Sequence, residues 1–258
     1  MNARTKEILG KVPEVTVWFW IVKIAATTLG ETGGDAVTMS MNLGYAVGTA
    51  IFLAVFVLAV ACQVAADRFR PFLFWFVVIA TTTAGTTLAD LLDRSLGIGY
   101  LGGSSILLAL LLGTLALWRG SLGSVALDSI TTRKAECFYW ATIMFSQTLG
   151  TALGDWTADD KTGLGLGYDG GAIIFAVALA MVAAAYFWSS ISRTVLFWAA
   201  FILTRPLGAT VGDYLDKPRI DGGLAMNRYV ATAALAAFIL VAVALLPKRA
   251  ERVRVTTD

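Results

Sequence analysis

Four aspartates stand at one fixed distance from a tryptophan. Asp35 follows Trp20, Asp90 follows Trp75, Asp155 follows Trp140 and Asp213 follows Trp198, each by fifteen residues. The segments read WIVKIAATTLGETGGD, WFVVIATTTAGTTLAD, WATIMFSQTLGTALGD and WAAFILTRPLGATVGD. Each places glycine ten residues after the tryptophan (Gly30, Gly85, Gly150, Gly208) and a small residue just before the aspartate (Gly34, Ala89, Gly154, Gly212). Carboxylates repeated at one level of an apolar chain point to cation binding, because rings of Asp or Glu select ions by charge. An ionisable residue inside a membrane is costly, and its cost is usually tolerated for function.

The ligand set is narrow. The chain has no histidine and only two cysteines, Cys62 and Cys137. The commonest general base and the imidazole of soft-metal sites are therefore missing. The two thiols read as small apolar fillers, reduced and unpaired on the cytoplasmic side. What remains is carboxylate, hydroxyl, amide and carbonyl oxygen, which suits hard ions such as Mg, Ca or Mn.

Three charged residues break the repeat. Glu31 stands where the other segments have Thr86, Thr151 and Ala209. Lys23 replaces the apolar Val78, Ile143 and Phe201, and Arg205 replaces Thr27, Thr82 and Gln147. Lys23, Thr27 and Glu31 share one helix face. Lys23 is expected to snorkel to the nearer interface, and Arg205 to turn inward to Glu31 or an aspartate. Both would balance the carboxylates when no cation is bound. The small, hydroxylated stretch before each aspartate reads as a close-packing seam, with the four repeat glycines as its contact points, or as backbone opened toward a cavity.

These residues need long helices to hold them. Fifteen helical residues rise about 22 Å, which carries the chain from a tryptophan at one interface to an aspartate near the other. Apolar runs predict spans at 14–34, 44–66, 71–92, 100–118, 136–156, 168–189, 194–214 and 226–246. Each is close to the roughly 20 residues that cross a bilayer core. Composition agrees: 57% of the 258 residues are hydrophobic and 15% charged, and the mean hydropathy is +0.73. A typical soluble domain has about 45–50% and 25%. The predicted fold is an all-α, polytopic integral membrane protein of eight transmembrane helices. It forms one transmembrane domain over 1–258, with short tails at 1–12 and 247–258.

The segments organise that domain into four parallel-related helical hairpins, at about 13–66, 71–119, 136–189 and 194–247. Two spans per unit preserve orientation. Spans 1, 3, 5 and 7 are expected around a pseudo-symmetric axis, with the plainer spans 2, 4, 6 and 8 outside. Three repeats also share a following tyrosine with glycine three residues on (Tyr45 and Gly48, Tyr100 and Gly103, Tyr168 and Gly171), and the fourth is read as lacking that tyrosine, a sign of divergence.

Basic residues set the expected orientation. With the N-terminus inside, thirteen Lys and Arg fall on the inner segments: Arg4, Lys6, Lys11, Arg68, Arg70, Arg119, Arg133, Lys134, Arg193, Lys248, Arg249, Arg252 and Arg254. Five fall outside: Arg94, Lys161, Lys217, Arg219 and Arg228. Both termini are thus expected in the cytoplasm of a bacterial cell, the chain lying in its inner membrane. Seven of the eight tryptophans fall near the inner interface, as an aromatic belt would place them.

Through the four Trp-to-Asp segments, nearly the whole chain resembles an uncharacterised family of bacterial membrane-anchored proteins built from repeated hairpins. That resemblance implies no activity. Glu31-Thr32-Gly33-Gly34-Asp35 also resembles the Glu-x-Gly-Asp motif of manganese/calcium exporters. It is longer by one residue and lacks the basic residue that follows the motif. This second likeness implies Glu31 and Asp35 as cation ligands.

The expected function is transport of a cation, a hard divalent metal such as manganese, in the direction of export. Asp35, Asp90, Asp155, Asp213 and Glu31 would bind it. No GxxxxGK[ST] segment occurs, so coupling would use an ion gradient or none. The alternatives are transport of a small organic solute, with Arg205 and Lys23 binding its carboxylate, and a non-transport assembly or anchoring role. No enzyme activity and no cofactor are expected. The partners are the lipid bilayer and the transported ion, not nucleic acid, since the net charge is only +2.

Overall fold

The computed structural model describes residues 4–245 and 250–257, with side chains from 10 to 245 and at 250. Eight α-helices carry it: α1 (Val17–Asp35), α2 (Gly44–Ala65), α3 (Pro71–Asp90), α4 (Gly99–Leu122), α5 (Arg133–Ala158), α6 (Gly167–Trp188), α7 (Arg193–Asp216) and α8 (Arg228–Leu245). Their limits are local chemistry. Thr16 and Thr132 accept hydrogen bonds from the N–H groups of Phe19 and Ala135 and so cap α1 and α5. Pro71 opens α3, where its missing N–H costs nothing. Five-residue π-helical turns, Ala36–Ser40 and Leu91–Ser95, extend α1 and α3 beyond their aspartates.

Six of the eight helices are long and apolar enough to cross a membrane. The two outside that set, α1 and α5, carry Lys23, Glu31 and Asp35, and Glu136 and Asp155, on largely buried surfaces. The protein is an all-α, multi-pass membrane protein. Helices α1, α3, α5 and α7 form the inner ring, each packing on the next, and α7 closes on α1. Helices α2, α4, α6 and α8 lie outside and are mostly unburied by protein.

The two helices of a repeat pack little on each other, most of all α5 and α6. Each outer helix lies instead on the inner helix of the following repeat: α2 on α3, α4 on α5, α6 on α7, and α8 back on α1. The hairpin expected from the sequence is thus open, and every repeat is completed by its neighbour. The ends of the chain are also more than tails. Strands β1 (Arg4–Pro13) and β2 (Ala250–Thr257) pair antiparallel, Arg4 opposite Thr257 and Leu9 opposite Arg252. Alternation of polar and apolar residues over 252–256 suits an edge pairing.

Candidate functional site

Along the axis of the inner ring the site is built in levels, and the lowest is aromatic. The residue before each repeat tryptophan meets the tryptophan of the next repeat. Ring centroids lie 5.6 Å apart for Phe19–Trp75, 5.6 Å for Phe74–Trp140, 6.2 Å for Tyr139–Trp198 and 5.7 Å for Phe197–Trp20. The four contacts close a circuit. Trp75, Trp140 and Trp198 are buried. They therefore seal the tryptophan end of the ring instead of forming a lipid-facing belt, a place left to exposed Trp18 and Trp188. The thiols also differ from expectation: Cys62 and Cys137 are free but exposed, so they fill no core.

The next level is a second circuit. A Cβ added to Gly30 would lie 2.9 Å from Thr82 Cβ, and one on Gly85 would lie 3.0 Å from the carbonyl carbon of Gln147. At Gly150 it would meet Arg205 Cβ at 2.6 Å, and at Gly208 Thr27 Cβ at 2.5 Å. Each repeat glycine therefore lies against the residue seven after the tryptophan of the next repeat. Any larger side chain would push the helices apart.

Arg205 enters the ring at this level and is 0% exposed. Its Nη2 donates to Glu31 Oε2 at 2.9 Å and to the hydroxyls of Thr86 and Thr151. Its Nη1 donates to the Thr27 carbonyl at 3.4 Å. One guanidinium thus holds the three residues that stand eleven after the tryptophan in the other repeats. Lys23 is also 0% exposed and does not snorkel. Its ammonium donates to Thr204 Oγ1 at 3.4 Å and lies 4.0 Å above the Phe201 ring. Both cations were expected to balance carboxylates, with Arg205 turned to Glu31 or an aspartate. Arg205 balances Glu31 alone, and among the described residues no carboxylate pairs with Lys23.

The aspartates form the upper level, 0–3% exposed. Two bases bind them in pairs across repeats. Arg94 Nε lies 2.9 Å from Asp90, and its Nη2 lies 3.2 Å from Asp155. Lys217 Nζ lies 3.1 Å from Asp213 and also pairs with Asp35. Arg228 Nε lies 3.1 Å from Asp216 and 3.9 Å from Asp35. Asp35, Asp213 and Asp216 each bring one carboxylate oxygen within 4.8 Å of the others. Glu31 and Asp35 each have a different basic partner, Arg205 and Lys217.

The clamping bases were missed in the sequence, although a signal was present. Repeats 2 and 4 carry Asp-x-x-Asp-basic, as Asp90-Leu91-Leu92-Asp93-Arg94 and Asp213-Tyr214-Leu215-Asp216-Lys217. Repeats 1 and 3 have Met39 and Asp159 at the basic position. The fourth tyrosine also exists. Tyr229 is the second residue of α8, as Tyr45, Tyr100 and Tyr168 are of α2, α4 and α6. It follows its aspartate by 16 residues, against 10, 10 and 13 in the other repeats. What repeat 4 lacks is glycine: Arg228 replaces Gly44, Gly99 and Gly167, and Thr232 replaces Gly48, Gly103 and Gly171.

No curated protein and no solved structure matches the chain. A family model does match, four times in tandem, over residues 18–69, 73–122, 138–192 and 196–252. Its description names no activity, and no match to the Glu-x-Gly-Asp exporters accompanies it. The four matches cover most of the chain and follow the four structural repeats, so the protein belongs to the Repeat of Unknown Function (DUF347) family.

Proposed function

We propose that the protein transports a small cation across the membrane, and that the cation is a hard divalent metal such as manganese, moved outward. One observation carries this reading: the four repeat aspartates and Asp216 are buried at one end of the ring, and among the described residues these five carboxylates pair with three bases, Arg94, Lys217 and Arg228. The ring therefore keeps an excess of carboxylate, and a cation is what relieves it. Its oxygen ligands suit Mn or Ca better than Zn or Cu. In this reading the aspartate end faces outward and the chain lies in the bacterial inner membrane. The thirteen-to-five distribution of basic residues supports that orientation.

The test is flux. Purified protein in liposomes holding a manganese-responsive dye should raise Mn²⁺ permeation above empty liposomes. Asp35→Asn and Asp213→Asn should each reduce it by at least about tenfold, since each removes a charge from the ring. Full flux in all four Asp→Asn variants would overturn the reading.

A second reading is favoured by the other end of the axis. Lys23 and Arg205 are buried cations, and of the two only Arg205 pairs with a carboxylate among the described residues, that of Glu31. Arg205 Nε, Thr82 Oγ1 and both amide atoms of Gln147 have no hydrogen-bond partner among the described residues. Such a level would suit a small organic anion. Counterflow of a labelled carboxylic acid, lost in Lys23→Met while Mn²⁺ flux is absent, would establish it in place of the first.

A further inference from the structure

The two clamped pairs are equivalent by repeat but not by chemistry. In one, Arg94 lies between Asp90 and Asp155. The neighbouring Asp93 turns away and its carboxylate rests on α4, where a Cβ on Gly103 would lie 3.2 Å from Asp93 Cγ. In the other, Lys217 lies between Asp213 and Asp35. The matching Asp216 has no such glycine to rest on, because α8 carries Thr232 at that position. Arg228 holds it at 3.1 Å instead, and Asp216 joins Asp35 and Asp213 as a third carboxylate.

Three features mark this second cluster as a place for a ligand. Asp35 Oδ1 and Asp216 Oδ1 are buried and have no hydrogen-bond partner among the described residues. The two residues are 0% and 5% exposed. A cavity of about 300 Å³ touches the cluster at Asp216, lined also by Ser40, Asn227, Arg228 and Tyr229 among others. Finally, three carboxylates face two bases, Lys217 and Arg228. A divalent ion in place of the Lys217 ammonium would bring the cluster to neutrality.

The bases differ in how readily they leave. A guanidinium forks across two carboxylates with fixed geometry. An ammonium is a compact, strongly hydrated point charge on a flexible stem, which makes it the nearer analogue of a metal ion. We propose that Asp35, Asp213 and Asp216 form the loading site for a hard divalent cation, which takes the place of the Lys217 ammonium, while Arg94 is a permanent staple. The ion exchanges with an internal cation and arrives through the Arg228-lined cavity. This rests on the transport reading for its purpose, but binding tests it separately.

The experiment is Mn²⁺ binding to the full chain in detergent, read as loss of the free-ion EPR signal. Lys217→Met should bind at least about tenfold more tightly than the parent chain, because a competing positive charge is gone. Lys217→Arg should bind at least about tenfold more weakly, since it installs the staple of the other pair. Asp216→Asn should weaken binding by a similar factor, and Asp93→Asn, its repeat equivalent, should leave it unchanged. Should Lys217→Met not yield monodisperse protein, Lys217→Arg and the Asp216/Asp93 comparison still decide. Equal effects of Asp216→Asn and Asp93→Asn, or no loss in Lys217→Arg, would overturn the assignment while leaving transport open. Mn²⁺ bound as expected, with no flux in liposomes, would overturn the transport reading and leave the site standing.

Discussion

Arg205 ties three repeats together from the fourth, and its chemistry explains why an arginine is tolerated there. Its pairing with Glu31 at 2.9 Å is fully buried, and both Thr86 and Thr151 add hydroxyl acceptors. A buried pair of this kind stabilises little against an apolar replacement of both partners, but removing one partner leaves a bare charge. Arg205→Leu should therefore lower stability by about 3–5 kcal/mol. Arg205→Leu with Glu31→Leu should recover most of that loss, although two hydroxyls keep only local acceptors. Thermal unfolding in detergent measures both, as a double-mutant cycle. A double variant no more stable than the single one would refute the pairing argument. At this scale the sequence was informative where a residue broke the repeat. Glu31 and Arg205 stood out because their equivalents are uncharged, and they do meet. Arg94 and Lys217 did not stand out, because they lie beyond the repeated segment and read as surface bases. Lys23 was misjudged because a snorkelling lysine and an inward one look alike in one dimension; only the ring places Phe201 and Thr204 beside it.

Helix contacts in the inner ring follow one rule repeated four times, glycine against the residue seven after the next tryptophan. The contact at Gly208 is the tightest against rigid atoms: an added Cβ would lie 2.5 Å from Thr27 Cβ and 2.9 Å from its carbonyl carbon. Neither atom can move without shifting α1. Gly208→Ala should destabilise the protein by about 1–3 kcal/mol, the usual cost of overpacking. Gly113 on the outer helix α4 meets nothing within 4 Å. Gly113→Ala should be neutral or stabilising by up to about 1 kcal/mol, since alanine is the better helix former. Thermal unfolding of the two variants side by side checks this, and equal behaviour would mean that the glycines are not contact points. The helices themselves were legible, because each is an apolar run of about the length that crosses a bilayer core. The strands were not. Ten residues at one end and eight at the other pair across nearly the whole chain, and no local pattern announces a partner so remote.

Four repeats with two kinds of clamp make a molecule of two halves. Arg94 joins repeats 2 and 3, and Lys217 joins repeats 4 and 1. At the aspartate level, no basic residue among the described ones bridges repeat 1 to repeat 2, or repeat 3 to repeat 4. The outer helices follow the same grouping, since α2 lies on α3, α4 on α5, α6 on α7 and α8 on α1, while the inner helices pack on one another all round the ring. One half is therefore α2 to α5, and the other is α1 with α6 to α8. Only two connections at the aspartate end cross between them, 36–43 and 159–166, and both contain bends with positive φ, at Asn42 and at Gly165. The aromatic circuit closes the tryptophan end, so opening of the aspartate end along these two seams is the motion that the architecture favours. A disulfide can test it. A Cβ on Gly34 would lie 3.3 Å from Thr86 Cβ, across the seam between repeats 1 and 2. That is close to the roughly 3.5–4.5 Å that a disulfide spans. In a chain with Cys62 and Cys137 replaced by alanine, Gly34→Cys with Thr86→Cys should lose cation flux on oxidation and regain it on reduction. Thr32 and Thr232, whose hydroxyls lie 2.9 Å apart, belong to one half. Their cysteine pair, once oxidised, should leave flux within about twofold of its reduced value, because a link inside one rigid body removes no motion between bodies. Flux that survives the first link, or fails equally with the second, would mean that the halves do not separate along these seams.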